Sequence, residues 1–318
     1  MPHKLQKEDN FISRFSCIAQ GIREDGQRLD RYVAENLKLL SRSQIKARNF
    51  RARVNGKEVK ISRILKGGEE LDFFWEDAEP ADLIPEDLPL DILFEDDRVA
   101  VINKVQGMVV HPGAGNSRGT LANALYYRRL YKKGLEFDSS LIGLRPGIVH
   151  RLDKDTSGLI ITAWNEETHA FLSEQFKNRK VIKTYAALVW GCPEKEGIID
   201  SSIGRDKRNR KLFSVDPMGK RSLTLYRVVK SWGSHSLLLI RPKTGRTHQI
   251  RVHLMSIGHP ILGDPLYSKP DRLFPNQTLM LHAKRLSIFL PGEKERHTFR
   301  TSFPQRYIDV FSKLNSRK

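Results

Sequence analysis

The sequence predicts an α+β protein: a mixed, mostly antiparallel sheet in a large domain, preceded by a small N-terminal α+β domain. Three observations lead there. Charge is segregated along the chain. Beyond residue 92, apolar runs of strand length outnumber helical patterns. Two of those runs, 223–229 and 235–242, are joined by "KSWGS", far too short for a parallel crossover.

The charge segregation sets the domain boundaries. From Arg42 to Lys66 there are nine Lys/Arg and one acid, Glu58. From Glu69 to Asp97 there are thirteen Asp/Glu and no base, with Pro80, Pro85 and Pro89 interspersed. A basic N-terminal domain is therefore expected over 1–75, an acidic Pro-rich linker over 76–91 and the larger domain over 92–318.

Within the first domain, "RLDRYVAENLKLL" places Leu29, Tyr32, Val33, Leu37 and Leu40 at helical spacing, and Ser41 is a candidate N-cap for "RSQIKARNF". "RVNGKEV" carries the Asn-Gly pair of a primed hairpin turn, and "EELDFFW" reads as a closing strand. In the second domain, strands are expected at 98–105, 158–164, 183–191, 223–229 and 235–242, and helices at 166–179 and 246–258. "IGRDKRNRKLFSVDPMGKRS" reads as a basic hairpin or loop, with seven Lys/Arg against two Asp between Arg205 and Arg221.

A net charge of +18 over 318 residues calls for an anionic partner, nucleic acid ahead of a membrane surface. No apolar run approaches the ~20 residues of a membrane span, and the first residues lack the pattern of a secretory leader. Cys17 and Cys192 stand alone, supporting neither a disulfide framework nor a zinc site. A reduced, cytoplasmic, monomeric protein is the simplest expectation.

Three constellations can carry chemistry. "GIVHRLDKDTSGLII" (147–161) threads His150, Arg151, Asp153, Lys154 and Asp155 between apolar flanks closed by Gly147 and Gly158. Asp155, in "DTSG", suits turn chemistry. Asp153 suits it less: it follows Leu152, and the neighbouring cations favour the anion a nucleophile requires. A metal-clamping reading of "DKD" wants further acids nearby, and the loop is otherwise cationic. In "RPKTGRTHQIRVHL" (241–254), Arg246 and Thr247 open the expected helix, Ile250 and Leu254 lie on its apolar stripe, and Arg246, Gln249 and His253 share a neighbouring one. Tyr185, in "VIKTYAALVWG", is an ordinary core tyrosine unless it faces the same pocket as Asp153. "VVHPGAGNSRGTLANAL" lacks the signature of a nucleotide-cofactor loop.

"HRLDKDTSG" and "TGRTHQIRVH", separated by "KTYAA", preceded by "NKVQGMVVHPGAG" and followed by "HPILGDPLY" and "LMLHAKRLSIFLP", resemble the motifs of the RluA/RluD-type pseudouridine synthases, in that family's order. The resemblance runs from about Leu90 to Pro304. The N-terminal module resembles the RNA-binding domain named after ribosomal small-subunit protein four, which the RluD-like branch carries.

The resemblance implies the pseudouridine synthase fold and an isomerase that converts uridine in RNA to its C-glycoside with no cofactor and no metal. Large-subunit ribosomal RNA is the favoured substrate, transfer RNA the alternative. It makes Asp153 the nucleophile, through either a covalent sugar adduct or a glycal path, and Tyr185 the acceptor of the C5 proton. Arg246 would pair with Asp153. Arg151 would fill the gap left by the extruded uridine, with His150, Thr247, Gln249, Ile250, Arg251 and Leu254 around the substrate. A non-catalytic RNA-binding assembly factor would explain the charge but not the Asp, Tyr and Arg motifs.

Overall fold

In the computed structural model the chain forms two compact units, 1–82 and 83–318. The structure describes residues 6–8, 12–22, 25–37, 39–40, 42–76, 83–113, 115–133, 146–206, 208–209 and 212–317. Ser41, the segment 77–82, the second half of "YYRRLYKKGLEFDSS" and Lys207, Arg210 and Lys211 lie outside the described residues.

The first unit contains β1 (Gln6–Glu8), β2 (Ile12–Ile18), β3 (Gln27–Arg28), α1 (Leu29–Arg31), α2 (Arg42–Ala47), β4 (Arg51–Val54), β5 (Lys57–Val59), β6 (Ile64–Leu65) and β7 (Glu70–Glu76). A five-stranded sheet runs β1-β2-β7-β4-β5, all antiparallel, and β3 pairs β6. The expected first helix is only one turn of α-helix, widening into a π-helical turn over Tyr32–Asn36. Its apolar stripe still holds, with Leu29, Tyr32, Val33 and Leu40 buried against Phe73 and Trp75 of β7. Asn55 and Gly56 both have positive φ (49° and 76°), the primed turn that Asn-Gly favours.

The second unit contains β8 (Ile92–Glu95), β9 (Val99–Lys104), α3 (Leu121–Tyr127), β10 (Ser157–Ala163), α4 (Glu166–Lys177), β11 (Ile182–Trp190), β12 (Glu196–Asp200), β13 (Ile203–Arg205), β14 (Phe213–Val215), β15 (Leu223–Ser231), β16 (His235–Pro242), α5 (Gln249–Ser256), β17 (Leu281–Phe289), β18 (Arg296–Arg300) and α6 (Gln305–Asn315). Nine strands form one sheet in the order β12-β15-β16-β11-β17-β10-β9-β8, with β18 also on β17. Among the described residues only β10–β17 is parallel, so the sheet is mixed and mostly antiparallel. The basic stretch after Ile203 folds back as the hairpin β13–β14.

Half of the expected linker belongs to the second unit. Leu83 and Leu90 pack on the cluster around Leu121 and Ile160, the Ile84 carbonyl accepts from Asn123, and the Glu86 carboxylate accepts the Gly119 N–H at 2.6 Å. Acidity and prolines mark extended chain, but apolar side chains at 83, 84, 88 and 90 give that chain something to bury. The second helix also differs from expectation: α5 begins at Gln249, because His248 is left-handed (φ 54°) and breaks the helical path ahead of it.

Candidate active site

The Asp153 loop is shaped from both ends by glycine. Gly147 (φ 76°) and Gly158 (φ 110°) lie so close to the backbone of Ala163 and Ala283 that an added Cβ would fall 1.8 Å and 2.3 Å from their carbonyl oxygens. Between them the loop crosses the end of β10, and the Thr156 N–H donates to the Asp153 carbonyl at 3.1 Å.

Two side chains, one from the last residue of β9 and one from just beyond it, hold it. Lys104, 1% exposed, donates to the carbonyls of Val105, Met108 and Lys154 at 2.8, 2.8 and 3.1 Å. Burial pulls its ammonium down to about 8, against the pull of Asp155 and Asp153. Gln106 donates to the carbonyls of Asp155 and Leu279. Asp155 is thus a turn residue whose carbonyl is used by Gln106.

Asp153 and Tyr185 line one cavity of about 120 Å³, together with Leu152, Ile250 and Leu281, with Lys183, and with Arg246, Thr247, His248 and Arg251 from the segment entering α5. The residues that sequence motifs alone bring forward therefore meet. Tyr185 sits beside a register shift between β11 and β17, at Thr184/Tyr185. Its ring is buried, and its hydroxyl makes no hydrogen bond among the described residues. Burial and the nearby Asp153 raise its pKa, so the phenol is protonated.

The expected Arg246–Asp153 pair does not form. The guanidinium against Asp153 is that of Arg251, 3.8 Å away and 3% exposed. Arg251 is anchored from behind by a fork of two hydrogen bonds to Asp264 (2.7 and 2.6 Å), a fully buried carboxylate that also accepts the N–H groups of Leu266 and Tyr267. The Tyr267 ring lies 5.0 Å from the same guanidinium. Its hydroxyl accepts from the Phe213 N–H and shares a second hydrogen bond with His248 Nδ1 at 2.9 Å.

Arg246 is displaced because it precedes the helix instead of opening it. Gln249 Oε1 accepts from the Arg246 N–H (3.0 Å) and from Thr244 Oγ1 (2.7 Å), which fixes residues 244–246 as a turn at the cavity rim. The Arg246 side chain is exposed, and no carboxylate among the described residues lies within 4 Å of it.

The remaining candidates separate in the same way. Gln249 lines the cavity, but its amide is engaged within the protein: both N–H groups go to Leu223 O and Thr224 Oγ1, bracing the loop to β15. His253 shares its helix face and binds the same Thr224 hydroxyl. Leu254 is core, whereas Ile250 reaches the cavity wall. Thr247 and Arg151 are exposed at its rim. His150 is turned away: Nε2 accepts the Ile161 N–H at 3.0 Å, the ring stacks on Phe176, and burial beside Lys183 brings its pKa to about 3. Lys104, Lys183, Asp264 and Tyr267 were not singled out from sequence. All four stand inside motifs that carry the family resemblance, but the part each plays depends on the partners that the fold brings to it.

A groove of about 760 Å³ adjoins the cavity and shares Arg151, Lys183 and Arg246 with it. Among the described residues, Lys177, Arg179, Arg241 and Lys243 complete a lining of seven cations and no carboxylate. One small, half-closed pocket with an anion, a phenol and a clamped arginine opens onto a track suited to a polyanion.

A family profile described as RNA pseudouridylate synthase matches residues 98–256. The chain is 43% identical over 299 residues to ribosomal large subunit pseudouridine synthase D of Borreliella burgdorferi, covering 92% of this chain and 90% of that one. It is 37% identical over 310 residues to the protein of that name from Escherichia coli, covering 92% and 91%. Among solved structures, human RNA pseudouridylate synthase domain containing 4 superposes with a TM-score of 0.56 at 28% identity, over 70% of this chain and 92% of that one. The matched span holds the Asp153 loop, Tyr185 and α5, and the chain belongs to the RluA/RluD family of RNA pseudouridine synthases.

Proposed function

We propose that this enzyme isomerises uridines of large-subunit ribosomal RNA, with Asp153 as the nucleophile and without a cofactor. The observation that carries the reading is the Asp153–Arg251–Asp264 arrangement. A buried arginine tied to one carboxylate presents its remaining N–H edge to a second carboxylate inside a pocket the size of one base. The names of the relatives, ribosomal large subunit pseudouridine synthase D, support the choice of RNA.

In this reading the target uridine leaves its stack, and its base enters the cavity between Leu152, Ile250 and Leu281. Arg151, exposed at the rim, stands where it can fill the vacated space. Asp153 attacks C1′, or removes the proton from C2′. On either path the N1–C1′ bond breaks, and the uracil departs with the electron pair. The base turns within the pocket and C5 bonds to C1′; Asp153 leaves C1′ on the first path or returns its proton to C2′ on the second, and is a free carboxylate again. The C5 proton passes to the Tyr185 oxygen as that hydroxyl gives up its own, and N1 gains a proton. No proton is consumed overall. Arg251 holds the Asp153 carboxylate in line throughout, while Arg246 and the groove cations take the flanking phosphates. The basic N-terminal unit, in the same reading, is an added RNA-binding module.

The test is a map of pseudouridine in total RNA from cells with and without the gene. Loss of sites confined to large-subunit rRNA is the expected outcome; loss confined to transfer RNA would replace the substrate assignment.

A further inference from the structure

We infer that the sheet face turned away from the catalytic cavity carries a second RNA track, a row of cations that takes backbone phosphates. Successive residues of β11 separate the two faces: Lys183 and Tyr185 line the catalytic cavity, whereas Thr184 lines a different cavity of about 690 Å³.

Pairing aligns the row. Arg300 on β18 is opposite Arg285 on β17, Arg285 is opposite Thr184 on β11, and Arg241 on β16 is next to Ile240, the partner of Tyr185. The β11–β17 register shift leaves Lys284 as an extra residue, and Lys284 and Arg285 line the same cavity. At about 4.8 Å per strand the row extends roughly 14 Å, longer than a single phosphate group.

The row lacks counter-charge. Two arginines directly opposite on neighbouring strands repel. Among the described residues no carboxylate lies within 4 Å of Arg285, Arg300, Arg241 or Arg227, and the cavity's own Glu196 forms no ion pair. Thr184 Oγ1, on a side chain 7% exposed, and Arg285 Nε are both buried without a hydrogen-bond partner. An anion seated on the row would answer both deficits. Arg241 also lines the basic groove beside the active site, so the two tracks meet at β16, and one RNA molecule can follow both.

This rests on the enzyme's action on RNA and is independent of the role of Asp153. The test uses the full chain, a fluorescein-labelled transcript of large-subunit rRNA and a short stem-loop carrying one unmodified target uridine. For the Arg285→Gln/Arg300→Gln double variant, affinity for the transcript should fall at least tenfold. The slope of log K against log salt should become shallower by about 1.4–1.8, the loss of two phosphate contacts. KM for the stem-loop and kcat at saturation should be unchanged. Arg300→Gln alone, on an exposed side chain, should show about half the change in slope. Unchanged transcript affinity and slope in both variants would overturn the inference. Wild-type turnover on the same transcript reports the substrate assignment separately.

Discussion

Arg251 lies between two carboxylates, in a two-bond fork with Asp264 and 3.8 Å from Asp153. The asymmetry sorts their duties. Asp264 is fully buried and bonded four ways, so it fixes the arginine; Asp153 is 21% exposed toward the cavity, so it is the carboxylate a substrate can reach.

Arg251→Met should therefore damage the fold as well as the chemistry, since it leaves Asp264 buried without a cation. The expected destabilisation is about 3–5 kcal/mol, read by urea unfolding. Arg251→Met/Asp264→Leu should recover much of that stability while staying inactive. Arg246→Ala, at the exposed rim, should leave stability within about 0.5 kcal/mol of wild type and raise KM for RNA. If the two arginines behaved alike, the division of labour would be wrong.

Tyr185→Phe should retain RNA affinity and stability, because the hydroxyl it removes has no hydrogen bond to lose among the described residues. Turnover should fall by a hundredfold or more, in the range of a lost acid–base group. Unchanged turnover would return Tyr185 to the core.

Two buried histidines set the acid limit. His150 and His282 are both lowered to about 3 by burial, beside Lys183 and beside Arg306 and Lys284 respectively. Unfolded histidine titrates near 6.5. The unfolded state therefore takes up protons first, and stability contributed by the neutral rings is lost as pH falls from about 6.5 toward 3. Thermal melts should show Tm dropping across that window, and less so in His150→Gln. A flat profile would contradict the assignment.

Lys104 sets an alkaline effect of a different kind. Its folded value of about 8 is below the ordinary 10.5, so between those values the folded state binds fewer protons, and this group adds stability as pH rises. Activity should move the other way: the cation beneath the Asp153 loop is discharged above about pH 8. The kcat profile of wild type should fall there. Lys104→Met, which leaves three carbonyls without their donor, should be poorly active at every pH.

The structure also shows which parts of the molecule were legible in sequence. The strands at 99–104, 157–163, 182–190 and 235–242 are nearly continuous apolar runs, and pattern alone locates them. β17 escapes the same reading because Lys284 and Arg285 interrupt it, the charges that face its other surface. The "HRLDKD" loop announces itself by polarity within core. The partner of Asp153 does not, because it depends on where α5 begins. A left-handed His248 shifts that start by three residues and exchanges Arg246 for Arg251. Asp264, thirteen residues beyond Arg251, becomes meaningful only once the chain has folded back.

The central claim is that Asp153 performs the bond cleavage. The most direct measurement is tritium release from RNA labelled at uridine C5, by wild type and by Asp153→Asn, alongside binding of the same RNA. Asp153→Asn should bind as wild type does and release no tritium above background; release at a rate near that of wild type would contradict the account.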